Sequence, residues 1–250
     1  MTTNSESPLL RLRGVSKRFG GVQALTGIDL SVERGEVVAL VGDNAAGKST
    51  IARAIAGVYQ PDGGTIEIDG VPVTIPSAQA AIGLGIATVF QEFALVEELD
   101  VTSNIFLGRE LVRGGLLDRE RMDELARSYL GRLRTRIADL RRPLGGLSSG
   151  QRQCVAIART LVSEPRLVVL DEPTASLSVS QTAEVLGYIE DLRDRGLGVI
   201  LISHNLTDVR AVADRIVVLR HGRINGSFAA ASATYEEIIA AITGATRIPV

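Results

Sequence analysis

Val37-Val38-Ala39-Leu40-Val41-Gly42-Asp43-Asn44-Ala45-Ala46-Gly47-Lys48-Ser49-Thr50 is the stretch that decides the fold. Its first five residues form a continuous apolar run, the mark of a strand covered on both faces. A glycine-containing loop follows, and residues 49–57 read as a helix. Gly42 to Ser49 matches the pattern G-x-x-x-x-G-K-[ST], whose backbone N–H groups wrap phosphates at the positive end of a helix. Within it, Lys48 supplies a mobile ammonium for the β- and γ-phosphates. The Ser49 hydroxyl is placed to ligate Mg²⁺, and Thr50 to reach the α-phosphate. The bare pattern would arise by chance in roughly one chain of this length in a hundred, and the flanking strand and helix make coincidence rarer still.

Working outward, Leu10, Leu12 and the alternation in Ile28, Leu30 and Val32 predict half-buried strands upstream. Downstream, Pro61-Asp62-Gly63-Gly64 is a turn, and residues 65–68 form a short strand. Over residues 92–140 charged and apolar residues mix at helical spacing, which predicts a mostly helical segment. Apolar runs then return at 167–170, 199–202 and 216–219, separated by helical stretches at 151–162 and 180–195. Apolar strands alternating with helices indicate an α/β domain with a parallel sheet. The run at 167–170 ends in Asp171-Glu172, and a carboxylate at the carboxyl end of a buried parallel strand faces a ligand crevice. Asp171 is placed to hold Mg²⁺, and Glu172 to polarise the water that attacks the γ-phosphate.

The 250 residues carry a net charge of −2, with 45% hydrophobic and 22% charged residues. That balance suits an ordinary folded domain and gives no electrostatic footprint for nucleic acid. Arg132, Arg134, Arg136, Arg141 and Arg142 cluster among acidic residues and read as a solvated helix face. The single cysteine, Cys154, excludes an internal disulfide and reads as a small core residue. Residues 1–8 lack the basic start and apolar core of a signal peptide and read as a flexible terminus. No stretch approaches the ~20 apolar residues of a membrane span. The expectation is a cytoplasmic protein that reaches a membrane only through a partner.

Further residues carry a family resemblance. Leu147-Ser148-Ser149-Gly150-Gln151 resembles the ABC signature, usually L-S-G-G-Q. Gln91, after Val89-Phe90, resembles the Q-loop glutamine, and His204 the switch histidine. Phe19 stands where the family places an aromatic ring against adenine. All occur in family order. The resemblance implies an ABC ATPase: a P-loop parallel-sheet core with an antiparallel β-subdomain and a helical insertion at about 92–163, in one nucleotide-binding domain spanning 9–250. It implies ATP and Mg²⁺ as cofactors, with Gln91 sensing the metal and His204 bracing the attacking water against the γ-phosphate. Ser148, Gly150 and Gln151, at a helix start, would cap the γ-phosphate on a second copy in a head-to-tail homodimer.

Three departures stand out. Ala45 replaces a glycine common in the loop and is harmless only with a negative φ. Ser149 replaces the first signature glycine. Ala175-Ser176-Leu177-Ser178 stands where the D-loop usually reads S-A-L-D, so an acidic group is lost. Lys48, Glu172 and His204 are retained, and real turnover is expected. The runs 42–48, 103–109 and 202–215 most resemble ATPases of ribose-, galactose- and fructose-type uptake. That likeness implies permease subunits as partners and, indirectly, a periplasmic solute-binding protein. A soluble ABC ATPase and an ATP-gated clamp with little turnover are the alternatives. Residues 92–109 are expected to line the groove for the permease, where reversing Glu97 and Glu98 should uncouple transport.

Overall fold

The computed structural model describes residues 7–90, 95–133, 135, 137–175 and 177–245. Gln91 and Ser176, together with Arg134, Arg136 and residues 1–6 of the expected flexible terminus, lie outside them. Pro8 is already buried, and Leu9 is 1% exposed.

Strands β1 (Leu10–Phe19), β2 (Val22–Val32), β4 (Gly63–Ile68) and β5 (Val71–Val73) form an antiparallel sheet in the order β2-β1-β4-β5. Strands β3 (Val37–Val41), β6 (Ile86–Val89), β9 (Leu167–Asp171), β10 (Gly198–Ile202), β11 (Arg215–Arg220) and β12 (Arg223–Ala229) form the main sheet. Its order is β12-β11-β3-β10-β9-β6, and every pairing is parallel except β11 with β12.

Alternate residues of each central strand enter two different cores. Val37, Ala39, Val41, Val168 and Leu170 belong to a cluster with the helices. Val38, Leu40, Val169, Ile200 and Ile202 belong to another with the antiparallel sheet and helix α1 (Lys48–Ile55). The unbroken apolar runs follow from this, since no face of these strands is left for water.

The segment after β6 contains α3 (Val101–Phe106), α4 (Arg119–Arg132) and α5 (Ser149–Leu161). Between α3 and α4 lies a hairpin the helical spacing did not anticipate: β7 (Val112–Arg113) and β8 (Leu116–Leu117), joined by Gly114-Gly115 with φ of 61° and 85°. The adjacent glycines Gly114-Gly115 between Val112-Arg113 and Leu116-Leu117 are the signal that could have found it. The arginine cluster does not form one helix face, because α4 ends at Arg132 and Arg141 lies beyond it, reaching back to Asp123 at 3.4 Å. Cys154 is buried and accepts a hydrogen bond from Thr135 Oγ1 at 3.0 Å. Among the described residues no helix is long and apolar enough to cross a membrane.

Candidate functional site

Register brings the motif-bearing ends together. Ile202 pairs with Leu40 of β3 on one side and with Asp171 of β9 on the other. The Gly42–Ser49 loop, the Asp171-Glu172 pair and Ser203-His204 therefore leave adjacent strands at the same level. That is the carboxyl edge where open parallel sheets hold ligands.

The loop enters α1 through Gly47, whose φ is 108°. A Cβ at Gly47 would stand 2.8 Å from Leu25 Cδ2, so only glycine turns the chain there. Ala45 has a φ of 63°, in the left-handed region. The condition under which the replacement is harmless, a negative φ, is therefore not met: the Ala46 N–H donates to the Asp43 carbonyl at 3.1 Å, and Ala45 takes the third position of that turn in the left-handed conformation. Glu172 is left-handed as well, at φ 53°, and its N–H donates to the Ile202 carbonyl at 2.9 Å.

Lys48 is 9% exposed, and its ammonium donates to the carbonyls of Gly42 at 2.7 Å and Asp43 at 2.9 Å. Burial pulls its pKa below the ordinary lysine value, opposed by the charges of Glu172, Asp171 and Asp43. Burial likewise pushes the Asp171 carboxyl up, although a hydrogen bond from Ser49 holds it down. His204 Nδ1 stands 2.8 Å from Glu172 Oε2, so the two residues expected to handle the attacking water touch. The histidine is exposed while the carboxylate is largely shielded.

A cavity of about 480 Å³ is lined by Phe19, Asn44 to Thr50, Asp171 and Glu172. Phe19 is 40% exposed and rests edge-on against Tyr59, ring centroids 4.9 Å apart. Sequence reasoning missed Val22, Gln23, Ala24, His221 and Gly222, which complete this wall. Val22, Gln23 and Ala24 open β2, His221 and Gly222 form the β11–β12 turn, and no motif marks them. The pocket suits a nucleotide, with an aromatic face at one end and a phosphate cradle at the other. Ser49 and Asp171, already hydrogen-bonded, form an oxygen pair of the kind that holds Mg²⁺ together with phosphate and water oxygens. Gln91 lies outside the described residues.

Ser148, Gly150 and Gln151 do not line that cavity. Ser148 is exposed and caps α5 with a capping box. Its Oγ accepts from Gln151 N at 3.2 Å, and its own N–H donates to Gln151 Oε1 at 3.1 Å. Ser149 is the first helical residue, a place where its side chain costs little. Ser178 caps α6 (Val179–Asp194) in the same way, so the missing aspartate leaves helix capping intact.

A second cavity, about 430 Å³, lies between α2 (Ala78–Gly83), β6, the end of α3 and α5, with Gln79, Leu95, Leu107, Arg109, Ala156 and Thr160 among its walls. Leu95, Leu107 and Arg109 come from the 92–109 segment, whereas Glu97 and Glu98 do not line the cavity. Glu97 instead pairs with Arg152 of α5 at 2.8 Å, which makes its reversal a perturbation of the signature helix.

A family model described as ABC transporter matches residues 25–175. The chain is 44% identical over 237 residues to a ribose import ATP-binding protein of Rubrobacter xylanophilus, covering 95% of this chain and 47% of the relative. It is 43% identical over 218 residues to a xylose/arabinose import ATP-binding protein of Sulfolobus acidocaldarius, covering 87% of each. The chain spans about half the length of the ribose-import relative. Among solved structures it is similar to a dimeric ATP-binding cassette in a post-hydrolysis state with ADP and Pi, at TM-score 0.77 and 26% identity, covering 88% of this chain and 98% of that one.

Proposed function

Because this chain belongs to the ABC transporter family, we propose that it binds and hydrolyses ATP and thereby powers a membrane importer for a monosaccharide. The observation that carries this reading is the meeting of Lys48, Ser49, Asp171, Glu172 and His204 at one carboxyl edge of the sheet. The relatives' names, which concern ribose and xylose/arabinose import, support the sugar.

In this reading the loop amides and Lys48 bind the triphosphate, Thr50 reaches the α-phosphate, and Phe19 backs the base. Ser49, Asp171 and Gln91 would hold Mg²⁺, which when bound would supply positive charge against that developing on the phosphates. Glu172 accepts the proton of the attacking water. His204, donating from Nδ1 to that carboxylate, fixes its direction, and in its doubly protonated form it also donates from Nε2 to the γ-phosphate. Two donor sets belong to separate surfaces, since Ser148, Gly150 and Gln151 stand away from the chain's own cavity. A second copy docked head to tail brings them to the γ-phosphate, and a helix N-terminus there favours the anion. The groove beside α5 receives the permease at the cytoplasmic membrane face, with residues 92–163 as the moving subdomain. A solute-binding protein on the far side delivers the sugar.

Glu172→Gln should retain ATP binding while steady-state phosphate release falls by about a hundredfold or more, the usual loss for a general base. Lys48→Ala should weaken ATP binding itself. Undiminished turnover in the first variant would remove Glu172 from its role. Unchanged affinity in the second would remove the site.

A further inference from the structure

Gln181, in the first turn of α6, ties that helix to the signature serine. Its Oε1 accepts from Ser178 N at 3.1 Å. A backbone N–H can only donate, so this bond orients the amide and turns Nε2 outward. Nε2 then donates to Ser148 Oγ at 3.5 Å. The side chain passes over Gly150 so closely that a Cβ there would stand 2.2 Å from Nε2 and 2.3 Å from Cδ. Gly150 therefore keeps open the path by which Gln181 reaches Ser148.

A serine hydroxyl has one proton to donate and two lone pairs to accept with. At Ser148 both lone pairs are taken, one by Gln151 N and one by Gln181 Nε2. Only the O–H is left, and it can only donate. We propose that Gln181 is a positioning residue for γ-phosphate recognition: by filling the second lone pair of Ser148 it commits that hydroxyl to donate to a phosphate oxygen. The proposal rests on the reading that the start of α5 meets ATP held by a second copy. It also gives the α6 start, with Ser178 in place of aspartate, an uncharged link to the phosphate cap. Ser178 and Ser148 are held by the two ends of one amide.

The test uses the full chain carrying Glu172→Gln, so that ATP persists, and follows ATP-dependent dimerisation by sedimentation. Adding Gln181→Ala should raise the ATP concentration needed for the dimer about fivefold, the loss of one hydrogen bond. Gln181→Glu should preserve the α6 cap and the melting temperature, because glutamate serves a capping box equally well. It offers Ser148 an acceptor that draws the hydroxyl proton inward, and should raise that concentration about tenfold or more. With Ser148→Ala already present, Gln181→Ala should change it by less than about twofold, since coupled residues are not additive. ATP affinity of the separate subunits should stay at the parent value in both Gln181 variants. Parent-like dimerisation of both Gln181 variants, or an equal loss in the Ser148→Ala background, would overturn the role of Gln181. A Glu172→Gln parent that stays monomeric with ATP would overturn the assembly beneath it.

Discussion

Ala45 holds a left-handed backbone at φ 63° in the loop that cradles phosphate. A side chain in that region costs about 1 kcal/mol or somewhat more. Ala45→Gly should relieve it and raise the melting temperature by about 2–4 °C, the shift expected for roughly 1 kcal/mol in a chain of this size. Calorimetry would check it, and no shift or a fall would mean that the turn is unstrained. Residue identity at the loop, at Asp171-Glu172 and at Ser148 was legible because each chemistry depends on residues adjacent in the chain. Dihedral signs were not legible, nor were contacts across long separations. The Phe19–Tyr59 ring pair and the Gln181–Ser148 bond join residues distant in sequence, and no local pattern announces them.

At the scale of elements, capping decides where helices begin, and most of it could be read from single residues. Helix α3 is instructive. Asp100 accepts from Ser103 N at 2.6 Å and from Arg119 Nη2 at 3.0 Å. Burial alone would push its carboxyl up, but the Ser103 bonds and the Arg119 charge outweigh it and leave the pKa below the ordinary value. A carboxyl depressed in the folded state stabilises above its unfolded pKa of about 3.9, and that contribution is lost as pH falls through the lower folded value. Asp100→Ala should therefore cost about 1–2 kcal/mol at pH 7 in urea unfolding. The gap from the parent should close below pH ~4. A gap constant with pH would show that capping geometry, not charge, carries the effect. The β7–β8 hairpin escaped the sequence reading because its strands are two residues each, too short for any period to register.

For the whole molecule, the two cavities divide the labour in the proposed function: one at the carboxyl edge of the sheet for nucleotide, the other beside α5 for the permease. Gln79 is exposed on the second and does not line the first. Gln79→Trp should obstruct that groove and lower sugar uptake by roughly tenfold, as loss of a docking hot spot does. ATP hydrolysis by the purified chain should stay within about twofold of the parent, as surface changes outside a site generally allow. Uptake unaffected by the tryptophan would place the permease elsewhere.

The sorting of alternate strand residues into two cores bears on which changes of chain length this protein can survive. Dropping one residue from β9 would send every side chain beyond the cut to the opposite face, because the pleat repeats every two residues. Leu170 and Val169 would exchange layers, and Asp171 would turn its carboxylate away from Ser49. Swapping one aliphatic for another in these strands is mild by comparison. In the central strands it is the spacing of the chain, more than the choice of aliphatic, that the molecule has least freedom to alter.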